Sequence, residues 1–214
     1  MNGPASDDAS YNIVVAGTGG QGVMTASEVL AQTALAAGYD VKKTEVAGMA
    51  QRGGSVNSHV RFGREILCPS IAPGDADLLL AMEPAEGLRW IGCLKPKGAA
   101  LVNLTALVPP VVATGAAHYP EDPLTSMKAV RQAVQGIDAT DVSRRLGEPR
   151  LVNMVMLGAA STRLPFDPEL LAETATARFR QRKKALAELN LRAFKAGQEL
   201  ARISHRVTAC VAPR

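Results

Sequence analysis

The sequence predicts an α/β fold, a doubly wound, mostly parallel sheet with a hairpin departure and a C-terminal helical extension. Short apolar, β-branched runs alternate along the chain with stretches of helical character. The first such run ends in a cluster of glycines that opens directly into an Ala- and Leu-rich helix. Toward the C-terminus, apolar residues recur at three- and four-residue spacing with no strand signal.

Residues 1–11 read as a disordered lead-in, 12–165 as the α/β domain and 166–214 as the helical extension, packed on the domain or on a partner. Asn12–Ala16 is the first strand, buried on both faces. Val23–Ala37 is a helix closed by Gly38 as its C-terminal glycine. Asp40–Val46 is a second strand, and Gly48–Gly54 a glycine-rich loop. From Val56 the chain alternates, with Val56, Ser58, Val60 and Phe62 on one face and Asn57, His59 and Arg61 on the other. Phe62–Glu65 then reads as a hairpin turn into Ile66–Cys68. Asp77–Ala81 is a buried strand, Pro84–Cys93 a helix, Lys95–Gly98 a turn and Ala99–Asn103 a strand. Val108–Pro123, rich in Pro, Gly and Ala, reads as loop with room for one strand. Val152–Ser161 is a small-residue helix, and Asp167-Pro168 an N-cap with proline at the first helical position. Leu186, Leu189, Ala193, Gly197, Leu200 and Ile203 form the buried stripe of a last helix.

Composition narrows the function. The 214 residues suffice to bury roughly 70% of the unfolded surface in one core. Hydrophobic residues make up 47% and charged residues 21%, ordinary values for a folded domain. Twenty-four Lys and Arg against 20 Asp and Glu leave only +4, too little for a dedicated nucleic-acid binder. No apolar run approaches the ~20 residues that cross a bilayer, and the polar, acidic N-terminus is not a signal peptide. Cys68, Cys93 and Cys210 are scattered without a CxxC, so the chain alone offers neither an iron–sulfur nor a Cys-rich zinc site. A reducing, cytoplasmic location is the simplest reading.

Two loops carry the chemistry. Gly17, Thr18, Gly19, Gly20, Gln21 and Gly22 satisfy GxGxxG between a strand and a helix. The glycines let backbone amides approach a phosphate at the positive end of the helix; the alternative is that they merely permit close strand–helix packing. Glu45 stands where a dinucleotide-binding domain places its ribose-binding acid, but Lys42 and Lys43 precede it and a glycine-rich loop follows. That makes a nicotinamide dehydrogenase the lesser reading. The second loop, Gly48-Met-Ala-Gln-Arg-Gly-Gly-Ser55, presents Gln51 and Arg52 beside Gly53, Gly54 and Ser55. A guanidinium there can grip a phosphate or carboxylate bidentately, dock another subunit, or stand in water. Both loops follow strands, so both are expected to open onto one crevice at the carboxyl ends of the sheet.

The segment GTGGQGVMTASEVLAQTALAAGYDVKKTEVAGMAQRGGSVNSHVRFG, with PGDADLLLAMEPAEGLR, NMVMLGAAS and KALAELNLRAF, closely resembles the beta subunits of indolepyruvate:ferredoxin oxidoreductases. These belong to the gamma-domain family of the 2-oxoacid:acceptor oxidoreductases, and the likeness runs through nearly all of the chain after residue 11. MAQRGG is closest to the arylpyruvate branch. The resemblance implies a smaller subunit without catalytic or metal-ligating residues of its own, inactive when isolated. Thiamine diphosphate and the iron–sulfur clusters would lie on a large partner subunit. The complex would oxidatively decarboxylate an arylpyruvate, pass electrons to ferredoxin or another acceptor, and release an aryl-acetyl-CoA. It further implies that the domain packs beside the active site and helps shape the 2-oxoacid or coenzyme A pocket. In that role the amides of Gly19, Gly20 and Gly22 and the side chain of Arg52 would contact phosphate or carboxylate. Gln21 and Gln51 would hydrogen-bond substrate or a loop of the partner.

The remaining polar residues have plainer readings. His59, His118 and His205 lack a carboxylate or Cys partner at ligand spacing and read as structural or surface residues. Cys68 reads as a small apolar residue, and Glu83 and Glu86 as carboxylates favoured at a helix start. Arg178, Arg180, Arg182, Lys183 and Lys184 form the one dense basic cluster. It reads as a solvated face, with docking to an acidic partner such as ferredoxin, or binding of coenzyme A phosphates, as the alternatives.

Overall fold

In the computed structural model, which describes residues 10–210 apart from 49–52, 110–111, 113–114, 116–117 and 181–183, the sheet is built around β1 (Tyr11–Thr18). Ile13, Val14, Val15 and Ala16 have no exposed surface, because both faces of this strand carry a layer of helices. The chain leaves β1 through the first glycine loop into α1 (Val23–Ala36), turns at Gly38 (φ 88°) and forms β2 (Asp40–Ala47). It then doubles back as β3 (Ser55–Gly63), which pairs antiparallel with both β2 and β1. The hairpin expected at Phe62–Glu65 is therefore β2–β3, closed by the second glycine loop. Ile66–Cys68 is not a strand: the Ile66 amide donates to Asp40 Oδ2 (2.7 Å), and Arg61 Nη1 donates to the Cys68 and Ser70 carbonyls. Side chains, not a ladder, satisfy this backbone, and Leu67 is 88% exposed.

β4 (Ala76–Ala81) lies parallel on the other side of β1, followed by α2 (Pro84–Trp90) and a single 3₁₀ turn, Ile91–Cys93. The helix expected to run to Cys93 thus tightens before its end. β5 (Leu94–Asn103) absorbs the expected Lys95–Gly98 turn: its register with β4 slips between Ala76 and Leu78, and Lys95 Nζ reaches Asp77 at 2.8 Å. No strand occurs among the described residues of 108–123. Three further elements are not among those expected: α3 (Pro123–Val130), although its Asp122-Pro123 start carries the same legible signature as Asp167-Pro168, β6 (Val134–Ile137) and α4 (Ala139–Arg145). The sheet order is β2-β3-β1-β4-β5-β6, with only β3 reversed.

Two cores flank this sheet. On one side α2 and α3 cover Val14, Ala16, Leu79 and Val102. On the other, α1 packs with α5 (Val152–Ala160), α6 (Pro168–Arg180) and α7 (Lys184–Cys210) over Ile13, Val15, Leu78 and Leu101. Asp167 Oδ1 accepts from the Glu169 amide at the start of α6, as the Asp-Pro pair predicts. Of the predicted stripe on α7, Ala193 and Gly197 are buried, whereas Ile203 is 55% exposed and Phe194 and Ala201 take the inward positions. α7 runs directly against α5. A Cβ on Gly158 would fall on the Phe194 carbonyl oxygen, and one on Gly197 on that of Val155. The expected lead-in lies outside the described residues up to Ala9; Tyr11 already belongs to β1, its ring stacked on Phe62 at 5.3 Å.

Candidate functional site

β1 is the point where the sheet changes direction. α1 carries the chain toward β2 on one face, and α2 carries it toward β5 on the other. In open α/β sheets a crevice forms outside the carboxyl ends of the strands at such a switch. The first glycine loop lies there, between β1 and α1. Gly20 (φ 101°) and Gly22 (φ 78°) hold backbone conformations that side chains disfavour. Gly22 also has to be small, since the Asn153 amide of α5 occupies the space a Cβ would need and donates to the Gly22 carbonyl (3.3 Å). A Cβ on Gly17 would lie 3.0 Å or less from Gln21, Val23 and Met82, so close packing accounts for this first glycine.

Gln21 acts as a brace. Its Oε1 accepts from the Thr18 amide (2.8 Å), and its Nε2 donates to the Met82 carbonyl (3.0 Å), tying the loop to the end of β4. Asn103, at the end of β5, donates to the same carbonyl at 3.2 Å. Gln21 thus spends both amide atoms within the chain. The first loop is instead presented by its backbone: α1 starts with no side-chain cap and no acidic residue in its first turn, and Gly20 is exposed. That is the electrostatic setting in which a helix N-terminus favours an anion.

The second glycine loop meets the first. The Gly19 amide donates to the Gly54 carbonyl (2.8 Å), and the Gly53 amide to the Gly19 carbonyl (3.3 Å). Thr18 and Ser55 face each other across β1 and β3. The two loops are thus adjacent at the carboxyl end of the sheet. Gln51 and Arg52 lie outside the described residues, as do the side chains of the basic cluster at 178–184.

Below this meeting point sit two buried carboxylates. Glu83 is 1% exposed and caps α2, with Oε2 accepting from the Glu86 amide at 2.9 Å. Its Oε1 accepts from the Tyr119 hydroxyl (2.5 Å) and from the Leu107 amide (3.3 Å). Burial, and the bond to Glu83, push the Tyr119 hydroxyl well above the ordinary tyrosine range. Glu86, 5% exposed, accepts from the Ser55 hydroxyl at 2.5 Å and is flanked by Arg89 Nε at 3.3 Å. Both residues do stand at a helix start, but they also reach segments remote in sequence: Tyr119 lies 36 residues from Glu83, a separation that leaves no local pattern. Thr18 Oγ1, in a residue 2% exposed, has no hydrogen-bond partner among the described residues.

The other sequence candidates lie elsewhere. Glu45 pairs with Lys43 (2.9 Å) and accepts from Ser27 at 3.4 Å. Lys43, also bound to Glu28, lowers the Glu28 carboxyl below its usual range. His59 Nδ1 accepts from the Ile71 amide (3.0 Å), and the ring stands edge-on to Trp90. Burial, then the nearby Arg61 charge, lowers its pKa. Cys68 is exposed, and buried Cys93 has its thiol pKa raised by desolvation. Among the described residues no three His, Cys, Asp or Glu gather as metal ligands, and no helix is long and apolar enough to cross a membrane.

Comparison with known proteins gives one direction. The family described as pyruvate ferredoxin/flavodoxin oxidoreductase matches residues 12–200. Indolepyruvate oxidoreductase subunit IorB of Archaeoglobus fulgidus is 37% identical over 202 residues, covering 92% of this chain and 98% of its own. The gamma subunit of a keto/oxoacid ferredoxin oxidoreductase from Geobacter sulfurreducens has the same fold, with a TM-score of 0.65 at 23% identity over 90% of this chain and 99% of its own. A 2-oxoglutarate:ferredoxin oxidoreductase from Magnetococcus marinus, solved with 2-oxoglutarate, coenzyme A and succinyl-CoA bound, aligns with a TM-score of 0.71 at 22% identity, over 92% of this chain and 32% of its own.

Proposed function

The chain belongs to the pyruvate ferredoxin/flavodoxin oxidoreductase family, and on that premise we propose that it is the smaller, arylpyruvate-type subunit of a 2-oxoacid:ferredoxin oxidoreductase. The complex takes indolepyruvate or a related arylpyruvate, with coenzyme A, to carbon dioxide and the aryl-acetyl-CoA, and delivers two electrons to ferredoxin or another acceptor. Thiamine diphosphate, on a large cytoplasmic partner subunit, would act as the electron sink that decarboxylation of a 2-oxoacid needs, and iron–sulfur clusters of that subunit would carry the electrons. The observation that carries this reading is the 37% identity, over nearly the full length of both chains, to an indolepyruvate oxidoreductase subunit.

Within the complex this chain binds and orients. The amides of Gly20 and Gly22, at the uncapped start of α1, receive a phosphate or carboxylate, whereas the Gly19 amide is committed to the Gly54 carbonyl and holds the second loop in place. The Thr18 hydroxyl at the same loop, without a partner among the described residues, can donate a further hydrogen bond to that ligand. Arg52 would add a bidentate grip, and Gln51, Gly53, Gly54 and Ser55 are the further candidate contacts of the second loop. Gln21 contributes by bracing the loop against β4.

The test is substrate profiling of the assembled complex with arylpyruvates, pyruvate, 2-oxoglutarate and branched-chain 2-oxoacids, alongside an Arg52→Ala chain. The expected result is a kcat/KM for arylpyruvates at least about tenfold above the others, lowered by Arg52→Ala by about tenfold or more, the worth of one charged hydrogen bond. Preference for pyruvate or a branched-chain acid would overturn the substrate assignment. Undiminished turnover with Arg52→Ala would remove this chain's guanidinium from the site.

A further inference from the structure

Helix capping requires one acceptor at the start of α2, and Glu83 Oε2 provides it. Glu86 stands three residues on, where the carboxylate of a capping box would turn back to the amide of the cap residue. Instead it turns outward to β3, and one oxygen accepts from the Ser55 hydroxyl. A carboxylate that is 5% exposed is costly to bury. Arg89, itself largely exposed, offsets only part of that cost. From Ser55 the connection runs straight into both glycine loops. Gly54, its neighbour, accepts from the Gly19 amide, Gly53 donates to Gly19, and Ser55 is the register partner of Thr18.

On this basis, and resting on the functional reading above, we propose that Glu86 is a positioning residue: through Ser55 it sets the two glycine loops at the spacing the ligand-binding crevice needs. Glu83 does the same for the opposite wall, where Leu107 and Tyr119 hang from its other oxygen. The start of α2 is thereby a common anchor for three chain segments that are remote in sequence.

The test uses assembled complexes carrying wild-type, Ser55→Ala, Glu86→Ala, Glu86→Gln and Ser55→Ala/Glu86→Ala chains, with kcat and KM read separately for 2-oxoacid and coenzyme A. Amide hydrogen exchange at residues 53–58 is read on the full chain. Ser55→Ala and Glu86→Ala each raise one KM by about tenfold, as for loss of one hydrogen bond to a charged group, while kcat changes less than about twofold. The double variant is no worse than either single one. Glu86→Gln, whose carbonyl still accepts from Ser55, recovers most of the loss, and exchange at Gly53 and Gly54 quickens only in the alanine variants. Unchanged KM values, additive losses, or a Gln variant as impaired as Ala would overturn the proposal. Ser55→Ala carries the test alone where Glu86→Ala does not fold. A wild-type complex inactive toward every 2-oxoacid would overturn the functional reading instead, and exchange then decides the anchor: quickened exchange supports it, unchanged exchange overturns it.

Discussion

His59, bonded to the Ile71 amide and edge-on to Trp90, leaves a measurable signature in stability. Its Nδ1 accepts a hydrogen bond from the Ile71 amide, so the folded protein holds the ring neutral, and burial lowers its pKa from the ordinary 6.5. The unfolded chain then binds the proton more readily than the folded one. This contribution to stability is whole above about pH 6.5 and declines as pH falls toward the lower folded value. Urea midpoints between about pH 7.5 and pH 5 are expected to fall, and His59→Gln, which still accepts but does not titrate, flattens part of that slope. A slope identical in the variant would contradict the assignment. Gly22 is the complementary case. GxGxxG pointed to the need for a glycine, and its positive φ bears that out, but the Asn153 side chain packed against it comes from α5, 131 residues away. Nothing local to the motif announces that contact.

At the level of elements, those with a strong period were legible. β1, α1, β4 and α5 are apolar runs whose burial is dictated by their own composition. β6 was not, because its four residues include Gln135 and Gly136, and its place is decided by pairing with β5 and by Gln135 donating to the Ala201 carbonyl (2.9 Å). Lys95–Gly98 is a related case: its Pro-Lys-Gly sequence has turn chemistry, and it forms the irregularity inside β5, between the Leu94–Ala76 and Ala99–Leu78 pairs with β4, so the strand continues on both sides of it. The α5–α7 crossing is a sharper test of the packing. Gly158 and Gly197 are the points of closest approach, and a methyl group on either meets backbone, which cannot swing aside. Gly158→Ala and Gly197→Ala are each expected to cost about 1–3 kcal/mol or more by overpacking, against a small gain from helix propensity. Chemical denaturation checks this, and an unchanged or raised midpoint would show that the helices separate freely.

Over the whole molecule, the carboxyl end of the sheet is where the chain concentrates its unusual features. Both glycine loops, the uncapped start of α1, the paired carboxylates and the exposed Met24, Leu104, Leu107 and Val108 lie at or beside the ends of β1, β4 and β5. The loops were legible because glycine spacing is a local signal. The carboxylate anchor beneath them was not, since each of its bonds joins segments far apart in sequence. An end bearing exposed apolar side chains beside an uncapped helix start suits the proposed role of a domain that completes its site against a larger subunit. The most direct measurement is anaerobic affinity purification of this chain from its native cells, followed by cofactor analysis and an arylpyruvate-dependent reduction assay on what is recovered. The expected result is a large co-purifying subunit carrying thiamine diphosphate and iron–sulfur clusters, with activity that requires both chains. A lone, stable chain that binds NAD or FAD would contradict it.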